Sequence, residues 1–182
     1  MNRRLQLINW VKAQHHGQLI KDTYTPYFEH VLAVANQVAA VTTLTYEIGI
    51  CHDLLEKTPV TQTDLLTRLQ AFGYDDVEAG HISNCVVELT RHFTKAENPL
   101  PKKMRKALED ERLLTISADA QTVKYADWAY NANWMMLHDH HHATDYLKRH
   151  IELMEAMIEG DAALRDTVLT QFHGLVKQLQ HG

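Results

Sequence analysis

The sequence predicts an all-α protein, and three observations carry that expectation. Only 7 Gly and 4 Pro occur in 182 residues, so few positions break a helix. Ala, Leu, Gln and Glu, all good helix formers, are plentiful. Apolar residues recur three and four apart in one stretch after another, the period of a helix with one buried face. The length suits one sizeable core and reads as a single domain spanning residues 1–182. No internal repeat, low-complexity tract or long linker divides it.

The first helix is expected from about Arg3 to His16, with an inner stripe at Leu5, Ile8 and Val11-Lys12, and Gly17 closing it. Gln18 to Thr25 reads as a polar loop holding Lys21 and Tyr24. Thr25-Pro26 predicts a helix start, with Thr25 as N-cap and Pro26 at the first helical position. Tyr27, Val31, Val34, Val38 and Val41 form the stripe that follows, with His30 at its edge. The next helix presents Leu44, Ile48, Cys51 and Leu55 on a buried face. It ends near Thr58-Pro59, since the residue before proline leaves the helical region.

Thr61 with Asp64 predicts the cap of a short helix ending at Gly73. Asp75 or Asp76 starts another, with Val77, Ile82, Cys85, Val86 and Leu89 inside. Arg91 to Arg105 is polar, contains Pro99 and Pro101, and carries Lys95, Lys102, Lys103 and Arg105. It reads as a solvated loop and helix face, or as a loop facing a phosphorylated substrate. Ser117 is the expected cap of a helix whose Ala120, Lys124, Asp127 and Asn131 share one face. Val123, Ala126 and Tyr130 occupy the neighbouring strip. Residues 139–180 read as one or two amphipathic helices broken near Gly160-Asp161.

A formal net charge of −5 argues against general affinity for nucleic acid or anionic membranes. No run approaches the roughly 18–20 apolar residues of a membrane span. Gln6, Asn9 and Lys12 interrupt any signal-peptide core after Arg3 and Arg4. Cys51 and Cys85 lie in apolar helical contexts. They are expected to be reduced, buried thiols of a cytoplasmic protein, with a disulfide as the alternative.

The chemistry centres on Gly49-Ile50-Cys51-His52-Asp53-Leu54-Leu55-Glu56-Lys57-Thr58. A histidine and a carboxylate side by side on an apolar helical segment are costly to bury unless something pairs with them. A divalent metal uses both donors directly; a hydrogen-bonded His-Asp pair without metal is the alternative. Glu56 stands one turn beyond His52, beside that ion. With His30 and Asp127, four candidate ligands arise: two imidazole nitrogens and two carboxylates. Such a set with open positions suits an octahedral ion such as manganese, with iron and magnesium as alternatives. Two other histidine groups read as helix-end residues without ordered ligand spacing: His138 and His140 to His142 around Asp139, and His15-His16 before Gly17.

The order His, His-Asp, Asp resembles the HD-domain phosphohydrolases. His15-His16-Gly17-Gln18, Lys21-Asp22, Thr25-Pro26-Tyr27 and Glu29-His30 resemble the opening of the RelA/SpoT-type hydrolase domain and the small alarmone hydrolases. Leu89-Thr90, Leu100-Pro101-Lys102-Lys103 and Arg105-Lys106 resemble their middle region. Val123-Lys124-Tyr125-Ala126-Asp127 with Asn131 resembles the segment bearing their last metal ligand. The likeness covers about residues 5–137.

That resemblance implies a helical HD-domain bundle that removes the 3'-pyrophosphate of guanosine tetra- or pentaphosphate with manganese. By position, His30, His52, Asp53 and Asp127 would hold the ion, and Glu56 would orient or deprotonate the attacking water. Lys21, Tyr27, Lys124 and Asn131 are the implied substrate contacts, and Lys57 the second catalytic position. Two departures bear on substrate. Lys57 replaces the aspartate of a Glu-Asp pair, reversing charge beside the water. Ile20 replaces an arginine that packs on guanine, losing its planar stacking surface. Guanosine tetraphosphate is therefore expected to be a poor substrate, unless Tyr24 or Trp134 supplies the stacking surface. The expected function is a metal-dependent phosphohydrolase of a phosphate or pyrophosphate ester, in a nucleotide. A degenerate hydrolase that binds a nucleotide and reports it to a partner is the second reading, and a helical protein with a metal-free polar interior the third.

Overall fold

The structure, a computed structural model, describes residues 2–96 and 98–181, with the backbone alone for His181. Met1, Glu97 and Gly182, which complete the expected 1–182 span, lie outside the described residues. Among the described residues, the regular structure is helical, in agreement with the sequence. The helices are α1 (Arg3–Gln14), α2 (Tyr27–Val38), α3 (Thr45–Cys51), α4 (Leu54–Lys57), α5 (Gln62–Phe72), α6 (Asp76–Leu89), α7 (Lys102–Leu113), α8 (Ala118–His138), α9 (His140–Ala156) and α10 (Ala162–His181). An isolated bridge joins Leu19 to Pro26. The chain divides into two units, Met1–Arg91 and His92–Gly182. No described helix is long and apolar enough to cross a membrane.

In the first unit α3 is buried along its whole length. It lies so close to α2 that a Cβ on Gly49 would stand 2.9 Å from the Ala35 backbone. A glycine is therefore what lets the two helices touch here. On α2 the buried residues are Phe28, His30, Val31, Val34, Ala35 and Val38. Val41 falls beyond the helix and is half-buried. The start of α2 lies one residue later than expected: Pro26, not Thr25, is its N-cap. The Thr25 carbonyl is instead spent on the Ile20 N–H at 2.9 Å, closing the preceding loop.

Helix α1 buries Leu7 and Val11, leaving Leu5 exposed and Ile8 half-buried. Only one four-residue step is needed where α1 meets α3 and α5. Arg4 donates to the buried Glu47 carboxylate of α3 at 2.8 Å, and the Tyr74 hydroxyl donates to it at 3.1 Å. Arg4 also lies over the Tyr46 ring. Arg4→Ala would leave Glu47 buried without its cation. It is expected to cost about 2 kcal/mol, below the roughly 3–5 kcal/mol of a fully buried pair, because Arg4 is 43% exposed. Urea unfolding measures this, and a loss under about 0.5 kcal/mol would place Arg4 among ordinary surface residues.

Helices α5 and α6 start in reciprocal capping boxes, Thr61 with Asp64 and Asp75 with Glu78. Gly73 follows α5 at φ +95°, the left-handed C-terminal position that glycine takes without strain. Ile82, Cys85, Val86 and Leu89 are buried as expected, but Val77 is exposed. Val77 shares its face with His81, one turn on, and that face points to solvent. Both cysteines are free thiols and buried.

In the second unit the Glu109 carboxylate accepts N–H groups of His92 and Phe93 and pairs with Arg112. Burial pushes its carboxyl pKa up, but Arg112 and the two N–H groups outweigh that and hold it low. Arg149 of α9 pairs with Asp110 of α7. Lys95, Lys102 and Lys103 are exposed on the loop and the α7 face. Helices α8, α9 and α10 pack on one another. The break between α9 and α10 comes where the sequence places it. Tyr125 donates to the Met157 carbonyl at 2.6 Å, and Gln121 accepts the N–H groups of Glu159 and Gly160. A Cβ on Gly160 would stand 2.7 Å from the Tyr125 ring, so the chain turns there on a glycine.

Candidate metal centre

The His-Asp dipeptide does not lie within a continuous helix, as its sequence context predicts. It interrupts one. Helix α3 ends at Cys51, and α4 begins at Leu54. His52 keeps helical dihedrals, whereas Asp53 has φ −103° and ψ 1°. Consecutive residues of a regular helix point about 100° apart. Asp53 departs from that regular geometry, and His52 Nε2 lies 3.3 Å from Asp53 Oδ2. The break also moves the buried position from Leu55, which is half-buried, to Leu54, which is fully buried.

His30, on the second turn of α2, completes a cluster of three. Its Nε2 lies 3.2 Å from His52 Nε2 and 3.6 Å from Asp53 Oδ2. Both imidazoles are buried, and the donor atoms lie within 4.8 Å of one another. Among the described residues no other group of three His, Cys, Asp or Glu side chains meets in this way. The histidines around Asp139 do not: His142 Nδ1 contacts Asp139 Oδ1 at 2.8 Å, and His138 stacks on Trp134.

The donor set fits a divalent cation. His52 Nδ1 donates to the Gly49 carbonyl at 2.7 Å, so Nε2 is the ring nitrogen that faces His30. Burial pushes the Asp53 carboxyl up, but His52 and His30 outweigh it and hold it well below the usual carboxylate range. Neighbouring ligands of an ion bonded at about 2.0–2.2 Å stand roughly 3 Å apart. The separations of 3.2, 3.3 and 3.6 Å are close to that spacing. Two buried imidazoles and a half-buried carboxylate converging in this way would supply most of a manganese, iron or magnesium site.

Around this cluster, Tyr27 donates its hydroxyl to Asp53 Oδ2. Glu56 is half-buried, accepting from Lys57 Nζ at 2.9 Å on one oxygen and from the Arg91 N–H at 3.3 Å on the other. The loop of residues 18–26 is tied by Ile20 to Thr25 and by Tyr27 N–H to the Gln18 carbonyl at 2.9 Å. Asp22 occupies its left-handed position at φ +59°. Ile20 is half-buried, Lys21 is exposed beside Asp22, and the Tyr24 ring is 98% exposed.

The other expected site residues assemble on α8 in the second unit. Lys124 Nζ lies 3.0 Å from Asp127 Oδ2, and Asn131 Nδ2 donates to Asp127 Oδ1 at 2.7 Å. The one-face spacing of the three is thus expressed as a polar cluster, with Asp127 buried. Two residues beside the first-unit cluster are absent from the expected site set. His15, expected as a helix-end residue, does cap α1 but is 2% exposed and lies against Tyr27. Gln18 joins it. Neither lies on a helical stripe, because both follow the helix.

No family model matches this sequence, and no curated protein matches it. Among solved structures, the chain is similar to a metazoan protein described as an ortholog of SpoT that hydrolyzes ppGpp and plays a role in starvation responses. The TM-score is 0.76 at 20% identity, over 94% of this chain and 94% of that chain. The likeness is one of fold, and it agrees with the helical bundle expected from the sequence.

Proposed function

We propose that this protein is a metal-dependent phosphohydrolase of HD type acting on a phosphate or pyrophosphate ester of a nucleotide. The observation that carries the reading is the meeting of the His52 imidazole and the Asp53 carboxylate, at the helix break, with the His30 imidazole of α2. In this reading His30, His52 and Asp53 hold the ion, which is manganese, and Asp127 is its fourth ligand by resemblance. The bound ion would lower the pKa of water and offset charge on phosphoryl oxygens. Glu56 receives the water's proton, Lys57 lies beside it, and Lys21, Tyr27, Lys124 and Asn131 contact substrate. The reading takes the chain as one HD-type functional domain of a cytoplasmic protein, and two buried free thiols support that compartment.

The reaction named for the metazoan protein makes guanosine tetraphosphate the first substrate to test. Ile20 offers no planar surface for a base, whereas the exposed Tyr24 ring in the same loop does. One observation favours the second reading, a nucleotide-binding protein with weak turnover: Lys57 donates to the carboxylate that would accept the proton.

The test is manganese-dependent turnover of a nucleotide and phosphate-ester panel, run on the natural chain and on Ile20→Arg with Lys57→Asp. A restored stacking surface is worth about 1–3 kcal/mol, roughly five- to hundredfold in kcat/KM. The double variant is expected to gain that much on guanosine tetraphosphate. Rapid hydrolysis by the natural chain would overturn the substrate argument from Ile20 and Lys57. Nucleotide binding without turnover across the panel would support the binding protein, and absence of manganese uptake would remove the metal reading.

A further inference from the structure

We propose that Tyr27 is a positioning residue for Asp53: its hydroxyl, on a ring braced by His15 and Gln18, holds the carboxylate oxygen beside His30 and His52. The inference deepens the metal reading and rests on it.

Asp53 is the N-cap of α4, the position at which an aspartate ordinarily turns back onto its own helix and accepts an N–H two or three residues on. It makes no such hydrogen bond. Its Oδ2 instead takes the Tyr27 hydroxyl and stands beside the two imidazoles. At φ −103° and ψ 1° the Asp53 backbone lies outside the extended region from which an N-cap side chain reaches those N–H groups, so contacts from other elements orient the carboxylate. Tyr27 opens α2 one turn before His30, so its ring lies against the His30 ring at 5.4 Å while its hydroxyl reaches Asp53.

The Tyr27 ring also meets His15, the residue that caps α1. The His15 ring packs on it with centroids 5.4 Å apart. Gln18 donates Nε2 to the Lys57 carbonyl at 2.7 Å, so its Oε1 is the acceptor for His15 Nδ1–H at 2.8 Å. One amide side chain thus ties α1, through His15, to the end of α4. Burial holds the His15 pKa below its usual value, against the opposing pull of Gln18 and Asp53. A neutral ring here braces the phenol without adding positive charge that would oppose a bound cation. The deletion of one oxygen in Tyr27→Phe keeps the ring and its packing, and removes only the hydroxyl's contact with the carboxylate.

The test is calorimetric titration of manganese chloride into the full chain after chelator stripping, with no substrate present. Tyr27→Phe is expected to raise the manganese Kd about 10- to 100-fold, the usual effect of losing a contact that orients a metal ligand. The melting temperature of the metal-free protein should stay within about 2 °C, the shift of a small stability change in a chain of this length. Gln18→Ala reads the same arm from its far end, without altering α2, and is expected to raise Kd about threefold, a shift of roughly 0.6 kcal/mol. An unchanged Kd in Tyr27→Phe overturns the inference and leaves the metal centre standing. A lower melting temperature with unchanged Kd also overturns it, assigning Tyr27 to packing alone. Should Tyr27→Phe not fold, an unchanged Kd in Gln18→Ala overturns it. A natural chain that takes up no manganese overturns both the inference and the metal reading.

Discussion

Glu56→Gln is expected to retain manganese at its natural affinity while losing about 10²- to 10⁴-fold in kcat, the usual contribution of a positioned general base. An amide keeps the shape of the side chain but has one acceptor oxygen where the carboxylate has two, so it retains one of the Lys57 and Arg91 hydrogen bonds, and it cannot take a proton from water. Both Glu56 oxygens already accept one contact within the protein, at 2.9 and 3.3 Å. A carboxylate has about four lone-pair sites, so these contacts orient it without exhausting it. The contrast is with His52→Ala and Asp53→Ala, which remove ligands and are expected to abolish manganese uptake and turnover together. Single-turnover kinetics with calorimetry on the same samples separates the two classes. Near-natural turnover in Glu56→Gln with its metal intact would transfer the proton-accepting role elsewhere, and Lys57 would be the residue to examine.

Gly49→Ala is expected to destabilise the protein by about 1–3 kcal/mol, the range for overpacking a filled core, and to weaken manganese binding at least tenfold. The added Cβ would meet the Ala35 backbone at 2.9 Å and Val38 Cγ2 at 3.2 Å. Backbone cannot swing aside as a side-chain tip can, so α2 and α3 must separate. His30 rides on α2 and His52 on the end of α3, where its Nδ1 is bonded to the Gly49 carbonyl itself. Sliding those helices apart opens the 3.2 Å spacing of the two imidazoles. Gly80→Ala is the control. Nothing lies within 4 Å of its added Cβ, and alanine within a helix is better than glycine by about 1 kcal/mol. The same substitution should therefore raise the melting temperature at residue 80 and lower it at residue 49, as thermal unfolding would show. A stabilised Gly49→Ala with natural manganese affinity would mean that the α2–α3 contact does not set the site.

Much of this architecture is legible in the chain because its causes are local. The capping boxes at Thr61 and Asp75, the glycine after α5 and the break near Gly160 follow from which residues satisfy the backbone at helix ends. The His52-Asp53 pair and His30 were legible through residue type and order, since buried donors of that chemistry demand a partner. Lys124, Asp127 and Asn131 were legible through helical spacing alone. Which stripe residue goes inside was less so. Leu5, Val77 and Leu55 each fit a period, yet each lies outside the buried face, because burial depends on where a neighbouring helix crosses. Tertiary structure alone decided three things at the metal centre. It broke the helix between Cys51 and Leu54, it brought α2 onto Gly49, and it placed His15, Gln18 and Tyr27 around Asp53. A sequence period describes one element against an unspecified core, whereas the direction of a carboxylate is settled by the side chain that reaches it from another helix.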